Sequence, residues 1–554
     1  MVCITDFIDG QNVSPAISAA VDAAIKDDKK LFFPPGEYHF YADGCAMRYC
    51  FFSNNDEGVK TVAILLDGID DFTVYGEDAR FIFHGRISPL CAFNRRNLSV
   101  QGISVDFEDS FVSDADLVYR EDGVAWFKLP GKHAVKDGKL TFTGDFFDNL
   151  HGKLNFYPYD RSKKELISTI PVITLPNRDV LWKDGLAGVE DRFAGVNTDA
   201  FVIKHELRLC PGMVFDNCDD VQVKNVTIHH AAGMGVLIQR SCNCSVEKLS
   251  VVPSTRRTAV SDDALHITDC RGKLRIADCL LTATLDDSIN VHGVFRKLKR
   301  RLPGGKMYYL EAGHFQQQGV FNIKAGDTLE LLRRATGEPY ARLKITGVKP
   351  CNKAFTLIDF DESELPDSFV QGDPGWILET QADLEVVNTV CRPLNGRGIL
   401  ASGLKNLHIS GCHLHSSGGG VFISGDHGFW YESGPVENAV IENNVFDNCN
   451  YSERSATREP FAVFPELDEL ADGFHYHGSI TVKNNLFRNS SRPLVSMMSV
   501  KNAVVKNNKF ELDETYTFIH QDKTGYYFTT PDSPAAAFLH CQSVVDENNQ
   551  GFRK

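Results

Sequence analysis

Two pairs of adjacent aspartates, Asp262-Asp263 and Asp286-Asp287, are the residues whose types and spacing best suit chemistry. The pairs lie 24 residues apart, in the similar segments DDALHIT and DDSINVH. Four carboxyl groups held close together repel one another, so at least one pKa should rise while another stays low. Carboxyl groups of unequal pKa are what general acid and base catalysis requires, and glycoside hydrolysis places two of them beside the bond that breaks.

Two structural interpretations of the aspartate pairs stay open beside catalysis. Asp can replace Gly at a turn, and a patch of carboxylates can bind a cation. The spacing of the groups would also decide stereochemistry. Carboxyl groups about 5 Å apart favour retention, whereas diagonal partners about 6.5–9.5 Å apart suit inversion. We favour catalysis because both pairs fall in the same register of a repeat.

Strand parity predicts which neighbours share the site with the aspartates. If Leu265 and Ile289 face the core, the alternate residues of the same strands face outward. Strict alternation would turn Asp263 and Asp287 inward, so the prediction requires a bend of the chain immediately after each of them. The small residues that would bend are Ala264 and Ser288, and the outward residues are His266, Thr268, Asn290 and His292.

Aromatic and basic side chains near the repeat strands are candidate sugar contacts. Trp430 lies in the loop GDHGFWYESG directly after a repeat strand, and Trp376 lies in GDPGWILE. Aromatic faces pack against the apolar side of a pyranose, although anchoring of a loop is the alternative for each. Arg397 occupies the column of Asp263 and Asp287 in a later repeat. The predicted substrate-binding residues are Asp262, His266, Asn290, His292, Trp376, Arg397 and Trp430.

The elements that must position these residues form a degenerate repeat. Leu265 and Ile289 are 24 residues apart, and Ile399 and Val421 are 22 apart. Short two-periodic strands with Gly or Asn turns at this period indicate stacked β-coils rather than a helical solenoid. We therefore predict an all-β fold, a right-handed parallel β-helix. The repeat segments begin at Gly233, Asp262, Asp286, Gly396, Gly418 and Ser491.

A second family of strands carries recurring asparagines. Asn485 and Asn508 are 23 residues apart, one coil of the repeat. Asn tolerates left-handed backbone and forms local hydrogen bonds, so asparagines that recur one coil apart predict a side-chain ladder at a turn. We assign them to architecture and not to chemistry.

The repeat register breaks twice, and the breaks locate two insertions. Ile289 and Ile399 are 110 residues apart, where one coil needs about two dozen. Both insertions contain short alternating strands and are predicted to be small β-barrels or sandwiches. The predicted organisation is a cap helix from Ser14 with the first coils at 1–109, an insert at 110–209, coils with the aspartate pairs at 210–294, a second insert at 295–383 and C-terminal coils at 384–554.

Composition narrows the partners. The 554 residues carry a formal net charge of −15, which argues against a nucleic-acid or anionic-membrane surface and favours a neutral ligand such as an oligosaccharide or glycoconjugate. The 15 cysteines are odd in number and several lie in apolar segments, which indicates reduced core thiols. No export signal or apolar span is evident, so we expect a cytoplasmic protein, with a periplasmic or secreted location after removal of a signal peptide as the alternative.

The motifs SDDALHI and LDDSINVHG one coil apart, with FPPGEY near the start and two β-rich interruptions, resemble glycoside hydrolase family 110. That family comprises exo-acting α-1,3-galactosidases that remove terminal galactose from blood-group-B-type glycans. The resemblance spans most of the chain. It implies inverting hydrolysis that needs no metal or cofactor, with Asp263 as general acid and Asp286 and Asp287 as the carboxylates that activate water. Asp262 then has a supporting role.

Three alternatives have distinguishing features. A polygalacturonase-like hydrolase also places aspartates on adjacent coils, but its companion triplets are missing or, for Asn197 to Asp199, lie inside an insert. A polysaccharide lyase would need a Lys or Arg base beside acidic metal ligands. A non-catalytic glycan-binding β-helix would tolerate Asp263→Asn without losing any hydrolysis. The inserts are also candidate surfaces for homo-oligomers.

Overall fold

The computed structural model describes residues 1–55, 57–142, 152–168, 170–204, 208–452, 459–490, 493–516 and 528–553. Within them the chain forms stacked β-coils joined by parallel strand pairing, with β-rich modules inserted between coils. This confirms the predicted all-β fold class, a parallel β-helix with two inserted β modules. The start of one predicted repeat segment, Ser491 and Arg492, lies outside the described residues.

One long sheet of the β-helix carries the repeat strands that hold the aspartates. Its strands pair in parallel except for the antiparallel first pair and the short strand Glu432–Ser433, which pairs with Ile289–Val294. We call it the site sheet. Its remaining strands are Ala46–Cys50, Gly58–Asp67, Ser88–Phe93, Met213–Asp216, Val236–Gln239, Leu265–Thr268, Ile399–Ala401, Val421–Asp426, Phe461–Glu466, Val495–Met498 and Ala536–Leu539.

The strand register of the site sheet confirms most of the predicted repeat. Val236, Leu265 and Ile289 pair in one column that continues through the repeats beginning at Gly396 and Gly418. The last segment was misaligned by one residue, because Val495 and not Leu494 stands in that column. The sequence alignment also missed a coil, Phe461–Glu466, whose strand follows Pro460 and not a small-residue turn.

The rest of each coil contributes strands to a second long array. Most coils supply a longer and a shorter strand on either side of a left-handed bend, as at Asn225 and Asn484, whereas Phe72–His84 and Arg96–Phe107 are continuous. The strands are Val2–Cys3, Lys30–Phe33, Gly36–Tyr41, Phe72–His84, Arg96–Phe107, Asp219–Lys224, Thr227–Ile228, Cys242–Glu247, Ser250–Val251, Arg271–Ala277, Leu280–Thr282, Ala382–Val387, Val390–Arg392, Leu404–Ser410, His413–Leu414, Asn438–Glu442, Val445–Asp447, His477–Lys483, Leu486–Asn489, Val500–Lys506, Lys509–Leu512 and Ser543–Glu547.

The asparagine ladder is confirmed at these bends. The Asn508 side-chain oxygen accepts from the backbone N–H of Asn485 at 2.9 Å, and the Asn485 oxygen accepts from the N–H of Asn444 at the same distance. The coil interior between the two arrays is apolar, with Val236, Leu265 and Ile289 fully buried. Burial of each such side chain contributes about 1.5–3 kcal/mol.

The first insertion is an antiparallel sheet with a separate hairpin. Arg257 of the β-helix holds it in place by donating to the carbonyl of Phe201 at 2.7 Å and to that of Ala115 at 3.1 Å. Its strands are Val112–Glu121, Val124–Lys128, Lys153–Asp160, Glu165–Leu166, Ile173–Pro176, Leu181–Lys183, Leu186–Glu190 and Ala200–Lys204, and the hairpin is His133–Lys136 with Lys139–Phe142.

The second insertion closes into a β-barrel around its own apolar core. The barrel strands in the described part of the chain are Arg296–Arg301, Tyr308–Ala312, Thr328–Leu332, Pro339–Pro350, Phe355–Phe360 and Pro374–Ile377. Its first strand follows directly from the site-sheet strand Ile289–Val294, so the barrel is anchored beside the second aspartate pair.

The predicted cap helix is present as Ser14–Lys26, with short 3-10 turns at Ile4–Asp6, Phe315–Gln317, Glu362–Glu364 and Leu378–Thr380. Ser14 lies inside the first helical turn, where its hydroxyl accepts from the N–H of Tyr41 at 2.9 Å. All 15 cysteines are unpaired, as predicted. Among the described residues, no helix combines the length and hydropathy needed to cross a bilayer.

Candidate active site

Bends immediately before two site-sheet strands position the aspartate pairs. The chain bends at Ala264 and Ser288, as predicted, before the strands Leu265–Thr268 and Ile289–Val294 begin. Gly396 of the next coil lies against the second bend with φ of +89°, and a Cβ there would stand 2.6 Å from the carbonyl carbon of Asp286. A side chain at position 396 would therefore displace the aspartates.

Asp263, Asp286 and Asp287 converge on one point. One oxygen of each carboxyl group lies within 4.8 Å of the others. Asp263 Oδ1 accepts from the backbone N–H of Asp287 at 3.1 Å, which links the two coils directly. Asp263 and Asp287 are buried, whereas the Asp286 side chain is 32% exposed.

Asp262 lies outside the cluster of the other three carboxyl groups and is paired with cations. Its Oδ1 accepts from Lys204 Nζ at 2.8 Å and from Arg208 Nε at 2.9 Å, and Ser261 Oγ donates to Oδ2 at 2.9 Å. Complete burial acts to raise the pKa of Asp262, but Arg208 and Lys204 more than offset it and the pKa lies well below its ordinary value. Asp262 is therefore a fixed anion that holds Arg208 at the site.

The environment of Asp263 shifts its pKa in the direction opposite to that of Asp262. Burial, followed by the negative charges of Asp286 and Asp287, raises the pKa of Asp263 well above its ordinary value. Its Oδ2 lies 2.7 Å from His266 Nδ1. Asp263 is thus the carboxyl group of this cluster that is most suited to carry a proton at neutral pH.

Asp287 is clamped by Arg397. Nε and Nη2 of Arg397 donate to its two oxygens at 2.9 and 2.7 Å, and the Arg397 backbone N–H donates to Oδ1 at 2.6 Å. Burial raises the pKa of Asp287 to about 6, with Asp286 adding to the rise and Arg397 opposing it. Arg208 Nη2 lies 3.5 Å from Asp286 Oδ2. Arg208 therefore contacts a carboxylate of both pairs.

The three carboxyl groups open into a pocket of about 500 Å³. Its lining combines charged and polar side chains with apolar ones, a combination suited to the hydroxyl groups and the apolar face of a sugar. The lining residues are Asn54, Arg208, Asp263, Asp286, Asp287, Asn290, Arg397, Leu400, Phe422, Ser424, Asp426, Phe429, Trp430, Glu432 and Glu466.

An aromatic cluster lies at the mouth of this pocket. Trp430 is 40% exposed, and its ring lies 4.9 Å from Phe429 and 5.0 Å from His314 of the barrel, measured between centroids. Asp426 holds the loop by accepting from the backbone N–H groups of residues 428 and 429 at 2.7 and 2.8 Å. Trp430 is thus placed where a sugar ring can stack on it.

Two further polar side chains, Asn290 and Glu466, line the pocket and could form hydrogen bonds to a ligand. Asn290 is 5% exposed, and its side-chain oxygen has no hydrogen-bond partner among the described residues. Glu466 pairs in register with Asp426 on the neighbouring strand. Burial, followed by the charge of Asp426, raises the pKa of Glu466 to about 7.

The structure does not bring every predicted substrate-binding residue to the pocket. Trp376 is 2% exposed, donates its indole N–H to Glu330 Oε2 at 3.1 Å and packs inside a cluster with Phe295 and Tyr431, so its ring has no free face. His266 and His292 are also buried, and they lie behind Asp263 and not on the pocket wall. The prediction that these three side chains line the cleft is corrected. Asp262, also predicted to bind substrate, is fully buried against Lys204 and Arg208 and does not line the pocket either.

Other residues of the site were missed by the sequence analysis. Asp426 and Glu432 stand in the quoted loop GDHGFWYESG, where acidic residues beside the aromatics were an available signal. Lys204 and Arg208 lie at the end of the first insertion, 58 and 54 residues before Asp262. No local pattern connects them to the aspartates.

Comparison with known proteins gives similarity over nearly the whole chain. A protein of Bacteroides thetaiotaomicron named alpha-1,3-galactosidase B is 26% identical, with 97% of this chain and 88% of the relative covered. A protein of Phocaeicola vulgatus with the same name is 27% identical over 97% and 92% of the two chains. A Shewanella woodyi protein named alpha-1,3-galactosidase A is 25% identical over 95% and 89%.

The barrel and the overall fold also have relatives. A family model described as GLAA-B beta-barrel domain II matches residues 309–374, within the second insertion. The tailspike protein of E. coli bacteriophage HK620, in complex with a pentasaccharide, has a TM-score of 0.43 at 11% identity, with 99% of this chain and 66% of the tailspike chain covered. The whole-chain sequence similarity to the proteins named alpha-1,3-galactosidase supports a glycoside hydrolase, and the parallel β-helix is the fold of the chain itself.

Proposed function

We propose that this protein is an exo-acting α-1,3-galactosidase that removes terminal α-1,3-linked galactose from blood-group-B-type or linear α-galactosyl glycans with inversion. The observation that carries the proposal is a carboxyl group of raised pKa, Asp263, in one pocket with Asp286 and Asp287. The names of the relatives and the resemblance to glycoside hydrolase family 110 supply the substrate class.

Asp263 acts as the general acid. It donates its proton to the glycosidic oxygen as the bond between that oxygen and the anomeric carbon breaks, and it is left as a carboxylate. Burial and the neighbouring carboxylates raise the pKa of Asp263 and so favour its protonated form in the resting enzyme. The same neighbours stabilise the positive charge that develops on the sugar ring.

Asp286 acts as the base. Both oxygens of Asp287 are engaged by Arg397, whereas Asp286 is partly exposed in the pocket and is free to accept a proton from water. The oxygen of that water forms the new bond to the anomeric carbon as its proton passes to Asp286. Asp287 orients the water and keeps Arg397 in place.

Substrate contacts follow from the pocket lining. The unpartnered oxygen of Asn290 accepts from a sugar hydroxyl, and Trp430 stacks on the apolar face of a pyranose. Asp426 and Glu466 are positioned to accept from further hydroxyl groups. These contacts orient the terminal sugar so that its anomeric carbon faces the carboxyl groups.

Inversion is the part of the proposal on which spacing bears most directly. The carboxyl oxygens approach within 4.8 Å, closer than the roughly 6.5–9.5 Å between the two carboxyl groups of many inverting enzymes. Such a close approach matches retention by itself, so the inverting outcome is proposed from the resemblance to glycoside hydrolase family 110. The anomeric form of the first product decides between the two outcomes.

Proton NMR of galactose release from an α-1,3-galactosyl disaccharide tests the proposal. We expect β-galactose to appear first and then mutarotate, with the same rate after treatment with a chelator. Absence of galactose would overturn the substrate assignment. Initial α-galactose would overturn inversion, and unsaturated products with chelator sensitivity would indicate a lyase.

The general acid is tested by Asp263→Asn. We expect kcat to fall by about 10²–10⁴, because the leaving oxygen is no longer protonated. The matched control is Asp278→Asn, the same change at an exposed outer turn of the same coil, where Asn suits the left-handed φ of 56°. Full hydrolysis by Asp263→Asn, with the fold unchanged by circular dichroism, would contradict the acid assignment.

A further inference from the structure

Two buried histidines behind the pocket form a hydrogen-bonded chain that ends on Asp263. His266 is fully buried and His292 is 3% exposed, so neither reaches the pocket or the substrate. We propose that His266 and His292 are positioning residues that hold Asp263 in its neutral, proton-donating form by presenting an unprotonated ring nitrogen to its carboxyl group. The kinetic consequence rests on the proposed function, whereas the protonation pattern does not.

The pattern starts at a backbone carbonyl. His292 Nδ1 lies 2.7 Å from the carbonyl oxygen of Gly293, which can only accept, so this nitrogen carries a hydrogen. The hydroxyl of Thr268, 3.4 Å from the same nitrogen, is compatible with this assignment. A neutral His292 therefore has its lone pair on Nε2.

The assignment then passes to His266. Nε2 of His292 and Nε2 of His266 are 3.1 Å apart, a contact that needs one hydrogen between two nitrogens. Because His292 Nε2 is the acceptor, His266 Nε2 donates, and a neutral His266 has its lone pair on Nδ1. That lone pair faces Asp263 Oδ2 at 2.7 Å, so a hydrogen bond there requires the O–H of a protonated carboxyl group.

The opposite arrangement requires a buried cation. If Asp263 were ionised and accepted from His266 Nδ1, one of the two rings would have to carry a second hydrogen. Burial, followed by the charges of His292 and Arg208, lowers the pKa of His266 well below its ordinary value, which disfavours an imidazolium there. Glu432 Oε1 lies 3.7 Å from His292 Nε2, beyond hydrogen-bond range, and accepts instead from Asn54 Nδ2 at 3.1 Å.

The charged groups around Asp263 agree with a neutral acid. Two carboxylates of the next coil face it, and one cation of the first insertion opposes them. The titratable and charged groups that face the chain are Asp262, Asp286, Asp287, Arg208 and Glu432. After each turnover Asp263 takes up one proton and Asp286 releases the one taken from water, so the site returns to the same charge.

His292→Phe tests the chain without touching Asp263. With no acceptor for its Nε2–H, a neutral His266 is free to carry its hydrogen on Nδ1 instead. That N–H then donates to an ionised Asp263, which lowers the pKa of Asp263. We expect the basic limb of kcat/KM for galactose release to move to lower pH by about one unit or more. His292→Gln offers a carbonyl oxygen to His266 and is expected to keep the limb of the wild type. A uniform loss of rate with no shift, or a shift to higher pH, overturns the proposal.

A second measurement reads the protonation of the two histidines directly and does not depend on activity. In ¹⁵N spectra of histidine-labelled protein, assigned with the two His292 variants and Asp263→Asn, we expect His292 to be protonated on Nδ1 and His266 on Nε2 near pH 7. A protonated Nδ1 on His266 overturns the proposal. The expected tautomers in a protein that releases no galactose would instead overturn the proposed function and leave this inference standing.

Discussion

Adjacent residues of this site differ in ionisation because the bend sends their side chains to different surroundings. Asp262 meets Lys204 and Arg208 and has a lowered pKa, whereas Asp263 meets carboxylates and His266 and has a raised one. These directions agree with the expectation from the sequence that one carboxyl pKa rises while another stays low. Which aspartate has the raised pKa and which has the lowered one follows from their contacts and not from their order in the chain.

Glu466→Gln tests the raised pKa of Glu466 through stability. The pKa of Glu466 rises from its ordinary value of 4.5 to about 7 in the folded protein. The contribution of the neutral Glu466 carboxyl group to folding stability is therefore fully present below pH 4.5 and is lost as the pH rises through 7. We expect the variant to match the wild type near pH 4.5 and to exceed its free energy of unfolding by roughly 1–3 kcal/mol at pH 8. Urea unfolding at both pH values measures this.

The exposed Glu437→Gln is the matched control for that experiment and should show no such difference. A Glu466→Gln variant that is less stable than the wild type at pH 8 would show that the carboxylate is held by contacts stronger than its burial cost.

At the scale of elements, the barrel supports the loop that carries Trp430. Tyr431, next to Trp430, is buried against the barrel, and Lys297 Nζ lies 4.3 Å from the centre of its ring. The following strand, Glu432–Ser433, pairs with Ile289–Val294. The second insertion therefore contributes to the pocket although it holds none of the three clustered aspartates.

Gly313→Ala tests this support. A Cβ at Gly313 would lie 2.3–2.6 Å from the ring and Cβ of Tyr431, so the loop must shift. We expect KM for the disaccharide to rise by about tenfold with a smaller change in kcat, because Trp430 moves and the carboxyl groups do not. Gly347→Ala, in the same barrel with its nearest neighbour 3.3 Å away, is the control. A fall in kcat at constant KM would contradict the loop role.

At the scale of the whole molecule, stability comes from stacking of coils, and each coil contacts mainly its neighbours. The asparagine ladder joins successive coils through side chains as well as strands. Asn485 accepts from the N–H of Asn444 at 2.9 Å and donates to the carbonyl of Ile441 at 2.9 Å and to Asn508 Oδ1 at 3.0 Å. One ladder position therefore bridges three coils.

Asn485→Ala is expected to lower the apparent free energy of unfolding by roughly 2–4 kcal/mol, because it removes the acceptor of the buried Asn444 N–H and a donor to the carbonyl of Ile441 in the preceding coil. Thermal unfolding followed by circular dichroism measures the loss. Asn438→Ala removes an exposed amide with one long bond of 3.3 Å and should change the midpoint little. Equal effects of the two substitutions would show that the ladder adds nothing to coil stacking.

The sequence by itself determined the features that repeat. A stacked coil places the same backbone one period later, so the 24-residue spacing of Leu265 and Ile289 was enough to predict that the two aspartate pairs stand on neighbouring coils. The bend at small residues and the asparagine ladder follow from the same regularity. The coil that contains Phe461–Glu466 was not recognised from the sequence because Pro460 replaces the small residue on which the repeats were aligned.

Only the tertiary structure decided which side chains surround the aspartates. Arg397 reaches Asp287 across 110 residues because the barrel lies between consecutive coils, and Lys204 and Arg208 arrive from the first insertion. Such contacts do not recur at a fixed spacing in the sequence, so the repeat cannot predict them. Parity located His266 and His292 near the site, but their burial and the direction of their hydrogen bonds depend on how neighbouring coils and the loop at Glu432 close over them, and that closure is a property of the packed molecule.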